Sequence, residues 1–107
     1  MSTGARVGFD VERVLAGPFS GIAQTIGSAI TKNPVIIVFD NQSTVSVALS
    51  VDGTNTFKTL VSGEAFVLDL RANIGKAPNY TVDLGTQFFG TGTGGTGNMT
   101  VAIFYSF

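Results

Sequence analysis

The 107-residue chain contains no cysteine, no histidine and no tryptophan. Without Cys there is no disulfide and no thiol nucleophile; without His there is no imidazole base, and the usual zinc ligands are missing. Charge is scarce as well, with 6 Lys+Arg against 7 Asp+Glu, 12% of residues and a net charge of −1. A soluble domain ordinarily carries about 25% charged residues. Clustered Lys and Arg are needed to hold phosphates, so no direct nucleic-acid binding is expected. Long apolar runs are absent too. The uncharged stretch Val14–Thr31 contains Pro18, three Gly and several hydroxyls, and Leu84–Phe107 is interrupted by six Gly before Asn98. A spanning helix needs about 20 mostly apolar residues, so no membrane span is expected. The start, Met1–Arg6, leads to Asp10 and Glu12 rather than to the apolar run of a signal peptide.

What is present is apolar and small. Hydrophobic residues make up 44% of the chain, with 14 Gly and 9 Phe. One domain of this size has much surface relative to its volume, and so few charges leave two ways to cover it. Either Ser, Thr, Asn and Gly make an uncharged polar surface, or neighbouring subunits cover exposed apolar area.

The hydrophobic pattern has a period of two nearly throughout. Val7, Phe9 and Val11 alternate with Gly8, Asp10 and Glu12, which predicts a strand with those three apolar side chains on its buried face. Gly17-Pro18 marks a turn. Ile22, Ile26 and Ile30 recur at steps of four, but Gly21 and Gly27 weaken a helix, and an extended or looping path is the equal alternative. Val35–Phe39 is a β-branched run fit for a strand apolar on both faces. Val45, Val47, Leu49 and Val51 alternate with small residues up to Asp52-Gly53, a hairpin signal that returns the chain through Phe57–Leu60. Ser62-Gly63-Glu64 is a turn, and Ala65–Leu70 a strand with Phe66, Leu68 and Leu70 on one face. Arg71–Tyr80 is expected as a loop, Thr81–Leu84 and Thr86–Phe89 as short strands, and Gly90–Gly97 as a mobile Gly/Thr hairpin loop. Met99 to Phe107 alternate to the last residue, which places Phe107 inside the fold or an interface. This predicts an all-β protein, a small antiparallel β-sandwich (jelly-roll-like or Ig-like) of about 6–8 short strands. Residues 1–30, flexible over Met1–Ala5, are expected as an irregular segment that reaches onto a neighbouring subunit. Residues 31–107 are expected as the β-sandwich domain, able to fold without that segment.

No constellation points to catalysis. Gly90–Gly95 spells G-x-G-x-x-G, but no helix opens there and too few residues follow for the ribose-binding acid. Asp10 and Glu12 fall on one strand face; a solvated face is the plainer reading than an acid–base pair. Asp52-Gly53-Thr54-Asn55 groups oxygen ligands, but it lacks the spacing and closing Glu of a calcium loop. No catalytic residue, cofactor or metal is assigned, and the protein is expected not to be an enzyme. Sugar sites usually use Trp or Tyr, whereas the aromatics here are Phe apart from Tyr80 and Tyr105. The adjacent Phe88 and Phe89 must point to opposite faces if extended, so one is expected at an interface.

The order of these blocks resembles that of short phage virion structural proteins. The blocks are Leu15-Ala16-Gly17, Asn33-Pro34-Val35, Ser50-Val51-Asp52-Gly53 and Gly63–Leu70 with Asn73, followed by Gly85-Thr86, Phe88-Phe89, Gly90–Gly97 and Val101–Tyr105. The resemblance spans residues 13 to 107. It departs at Phe88-Phe89-Gly90, where such proteins carry a basic residue, and in the added Ser106-Phe107. It implies a capsid decoration, cement or vertex (penton or spike-base) subunit, or alternatively a tail or connector ring subunit. Its partners would be copies of itself and a major capsid or other virion protein, and its location the virion, assembled in the host cytoplasm. A non-viral β-sandwich binding or adhesion module is the alternative outside that class.

Overall fold

The computed structural model describes residues 7–70 and 82–106. The expectations for Met1–Ala5, for Arg71–Tyr80 and Thr81, and for Phe107 lie outside the described residues. Among those described there is no α-helix, and antiparallel sheets pack into a β-sandwich.

Two sheets form the layers. The front sheet has the order β1 (Val7–Phe9), β11 (Asn98–Ser106), β5 (Pro34–Asn41), β8 (Ala65–Asp69), and β2 (Arg13–Ala16) continues β1 along β11. The back sheet has the order β4 (Gln24–Thr25), β9 (Phe89–Thr91), β6 (Val47–Ser50), β7 (Thr56–Leu60). A two-stranded patch, β3 (Phe19–Ser20) with β10 (Thr93–Gly94), lies between them along the chain.

These strands are segments of two long antiparallel ribbons. Residues 7–30 run against 85–106, continued between strands by Gly17 N–H to Gly97 O (2.8 Å), Gly21 N–H to Gly92 O (2.8 Å) and Ile26 N–H to Phe88 O (2.8 Å). Residues 34–50 run against 56–69. The ribbons lie side by side through the β11–β5 and β9–β6 pairings, and both pass from the front sheet into the back one. That wrapping is the jelly-roll arrangement, which decides between the two sandwich types left open by the sequence.

The core lies between the layers. Ile37 and Phe39 of β5, Val47 and Leu49 of β6, Leu60 of β7 and Met99, Val101 and Ile103 of β11 are all buried. Phe39 is the aromatic centre, edge-on to Phe88 (5.1 Å) and Phe57 (5.8 Å) and stacked with Phe66 (5.9 Å). The hairpin at Asp52-Gly53, the turn at Ser62–Glu64 and the extended strands they join fall where the alternation puts them.

Four elements differ from the sequence reading. Phe9 and Val11 are 76% and 80% exposed, and Arg13 is buried instead. Phe9 pairs with Phe104 and Arg13 with Val101, so four steps on one strand match three on the other. That single extra residue turns the following side chains to the opposite face. The Gly/Thr segment 90–97 is not a free loop, since β9 and β10 run through it and Gly90 and Gly92 are buried. A Cβ on Gly90 would lie 3.1–3.3 Å from Val47, Leu15 and Ile26, so glycine here lets the layers close. Gly97 combines φ of +88° with a site where a Cβ would meet Gln42 O. Residues 82–84 form no strand, and the strand expected at Thr86–Phe89 begins only at Phe89.

The fourth difference concerns residues 1–30. From Val7 onward this segment is woven into both sheets, and Leu15, Phe19, Ile26 and Ile30 belong to the core. The four-residue isoleucine spacing reflects an extended path in which Ile26 and Ile30 are buried and Ile22 is 69% exposed. A chain beginning at residue 31 is therefore expected to lose cooperative thermal unfolding by circular dichroism; a sharp transition near that of the full chain would contradict this packing.

One buried amide joins the layers. Asn41, wholly buried at the end of β5, donates from Nδ2 to Val45 O and to Leu60 O, both at 2.9 Å. Its Oδ1 accepts from Ser43 N–H (3.1 Å) and the Ser43 hydroxyl (2.5 Å). Val45 O also accepts from the Ser43 hydroxyl (2.9 Å), so Asn41→Ala would take the amide partner from Leu60 O and from Ser43 N–H, at about 1–3 kcal/mol for each buried group left unpaired. Urea unfolding should show a loss of about 2–4 kcal/mol; a loss below about 0.5 kcal/mol would mean that water replaces the amide freely.

Candidate interaction surface

The register of the front sheet decides which side chains face away from the core. Directly opposed residues in an antiparallel pair share a face. Ile37, Phe39, Val101 and Ile103 point inward, so their neighbours point outward. One outer row reads Phe9, Phe104, Ile36, Asp69; the next Ala102, Val38, Val67; the third Val14, Thr100, Asp40, Ala65. Six of these eleven are apolar residues larger than Ala, two more are Ala, and the only charges among them are the two aspartates. Phe9 (76%), Val67 (57%) and Val14 (43%) are well exposed, while Ile36, Val38, Ala102 and Phe104 are half-buried by one another. Phe9 and Phe104 meet edge to face at 4.8 Å.

The back sheet differs. Ala48 is opposed by Thr59 and Thr91, and Thr25 and Thr56 extend the same outer face. This face is small and hydroxylated, apart from half-buried Phe89. The Phe88-Phe89 pair does split as its alternation requires, with Phe88 2% exposed in the core. The back layer thus presents an uncharged polar surface and the front layer an exposed apolar one.

Charged side chains elsewhere serve the fold. Arg13, 4% exposed, donates from Nε to Ser28 O (2.7 Å), from Nη2 to Ala29 O (3.0 Å) and from Nη1 to Val11 O and the Asp10 carboxylate (both 3.1 Å). It thereby ties the β2 edge of the front layer to the segment that follows β4 in the back one. A Cβ on Gly27 would come within 2.7 Å of the Arg13 side chain, so the clasp needs glycine there. Asp10 is thus engaged with Arg13 rather than poised as half of an acid–base pair. Desolvation raises its pKa, but the Val11 N–H, the Arg13 guanidinium and the charge of Lys32 outweigh it, so its carboxyl sits below the ordinary value.

The Asp52 carboxylate is held in its own turn. It accepts from Asn55 N–H (2.7 Å), Thr54 N–H (2.8 Å) and Asn55 Nδ2 (2.8 Å), which lower its pKa. These bonds give its oxygens the work of a turn, not of a cation loop. Among the described residues no group of three or more His, Cys, Asp or Glu side chains is placed to hold a metal. An apolar cavity of about 400 Å³ opens between β7 and β8, walled by Val51, Phe57, Phe66, Leu68, Leu70, Val82 and Phe88. Among the described residues no titratable side chain lines it. No helix among the described residues is long and apolar enough to cross a membrane.

Compared with protein-family models, curated proteins and solved structures, the chain matches none.

The outward rows of the front sheet were present in the sequence as the second apolar face of Val35–Phe39 and of the final strand. What the sequence did not show was the pairing that sets those faces side by side.

The Asp10–Arg13 clasp has a pH signature. A carboxyl with a lowered folded pKa stabilises the fold above its unfolded pKa, about 3.9, and loses that contribution as the pH falls through the folded value. Asp10→Asn should therefore lower the thermal midpoint at pH 7, and the gap to the parent should close progressively below about pH 4. A gap that stays constant from pH 7 to pH 2 would exclude the carboxylate as its source.

Proposed function

We propose that this protein is a structural subunit of a bacteriophage particle, a capsid-associated decoration, cement or vertex protein that acts through subunit–subunit contacts. The observation that carries this reading is the apolar outer face of the front sheet on a chain with only 12% charged residues. Contiguous exposed apolar area of this kind marks a contact surface. Four strands lie abreast only beside residues 100–104 of β11, so the face measures about 17 by 19 Å, at about 3.4 Å per residue and about 4.8 Å per strand. That is roughly 320 Å², the size of the largest apolar patch on an ordinary monomer, where such patches often mark contacts.

The virion context comes from the order of sequence blocks, and the jelly roll is compatible with it because capsid subunits use that architecture, as do lectins and cupins. The breadth of the apolar face across four strands supports a subunit over a free-standing binding module. Tail and connector rings are built from the same kind of contact.

Native mass by light scattering, for the chain alone and mixed with the shell protein encoded beside it, tests the reading. A defined oligomer or a stable complex with the shell protein is the expected result. A monodisperse monomer that ignores the shell protein would transfer the assignment to a binding module.

A further inference from the structure

We infer that the apolar cavity between β7 and β8 is a binding site for a small amphiphile, an apolar body with one anionic end set beside Lys58. This goes beyond the subunit reading and does not rest on it.

The strands build the cavity from their own pairing. β8 and β7 are the outermost strands of the front and back sheets, and the cavity lies between them. Phe66 and Leu68 oppose the buried Phe39 and Ile37, so both face inward. On β7 the register shifts beside Phe57. Lys58 opposes Leu49 and Thr56 opposes Ser50, which leaves Phe57 as the extra residue. A bulge of this kind re-aims a side chain. Alternation from the buried Leu60 would turn Phe57 outward; instead its ring meets Phe39 at 5.8 Å. Three walls of the cavity, Phe57, Phe66 and Phe88, thus all rest on the Phe39 ring, with centroids 5.1–5.9 Å from it. The hollow is framed by core aromatics held in place by one another.

The walls set the chemistry of the occupant. The lining side chains are all hydrocarbon, so they offer no hydrogen bond to a polar group, and burying one there unpaired would be costly. The volume is about 400 Å³. An apolar cavity of roughly 150 Å³ holds benzene, so the space suits an apolar body of roughly ten to sixteen carbon atoms, the smaller number allowing for the open side. The charge beside this space is a cation. Lys58 opposes the buried Leu49 and so lies on the inner side of β7, and its Nζ stands 5.5 Å from the centroid of the Phe66 ring. Among the described residues no carboxylate is paired with it. An ammonium next to an apolar wall, with no carboxylate of its own, complements an anion whose body lies in the cavity.

Isothermal titration calorimetry of the full chain with decanoate, below its micellar concentration, tests this, with 1-decanol as the neutral counterpart. Decanoate should bind saturably, and octanoate about fifteenfold more weakly, at about 0.8 kcal/mol for each buried methylene. Each variant is checked for a retained thermal transition. Val51→Trp, at a wall position 49% exposed, should fill the cavity and weaken decanoate about tenfold or more. Lys58→Gln should weaken decanoate about threefold and leave decanol unchanged. Val38→Asp, on the outer face of the front sheet, should leave both unchanged. Absence of saturable binding, binding indifferent to Val51→Trp, a Lys58→Gln effect equal for decanoate and decanol, or loss of binding in Val38→Asp would each overturn the site. None of these outcomes alters the light-scattering result, so the site and the subunit reading fail separately.

Discussion

A β-strand has two faces, and a two-layer sandwich covers only one of them. That constraint governs this molecule. β5 and β11 are apolar on both sides, because Ile36, Val38, Ala102 and Phe104 alternate with Ile37, Phe39, Val101 and Ile103. Folding commits one set to the core and leaves the other on the surface. Among the described residues no strand is left over to cover the second set, since all the back-sheet strands are already spent on the inner face. The apolar outer face is thus a consequence of the same strands that make the core, and its presence at the centre of the front sheet, rather than at an edge, makes it broad and flat.

The layers themselves are held in place by polar groups as much as by the core. Asn41 links the end of β5 to the end of β7, where both ribbons bend from one layer into the other. Arg13 performs a similar task at the opposite edge, with four hydrogen bonds reaching the carbonyls of Val11, Ser28 and Ala29 and the Asp10 carboxylate. Buried polar groups of this sort are costly unless fully paired, and both are. They fix where the ribbons turn, which an apolar core alone, being non-directional, does not.

Much of this was legible in the sequence. Alternation located β6, β8 and β11, the β-branched run Val35–Phe39 located β5, and the Asp52-Gly53 hairpin returned the chain through β7; Gly53 and Gly63 take positive φ at the turns that bound β7 and β8. The parts that were not legible depend on partners distant in the chain. The face of Arg13 is set by one extra residue relative to β11, a relation between residues 9–13 and 101–104 that neither stretch shows alone. The glycines at 90 and 92 read as loop residues until Leu15, Ile26, Phe19 and Val47 are found packed on them. The segment 7–30 has weak local periodicity because its strands are two to four residues long and borrow their order from 85–106. The candidate surface falls between these cases: its residues were visible as an alternating set, but only the lateral order β1–β11–β5–β8 gathers them into one face.

The contrast between the layers bears on how such a subunit would sit in an assembly. Water solvates hydroxyls without any need for net charge, so the threonine-rich back sheet can remain exposed in a particle carrying many copies. The front sheet has the opposite property, as its apolar rows gain by leaving water at roughly 25 cal/mol per Å². A chain with charges on both faces would be more soluble alone, but would lose this polarity. On the proposed reading of the front face as a contact, the low charge fraction has a physical sense: charge on the first face would oppose burial, and on the second its place is taken by threonine. Composition and sandwich then meet in one arrangement, two sheets of opposite surface character joined by one core.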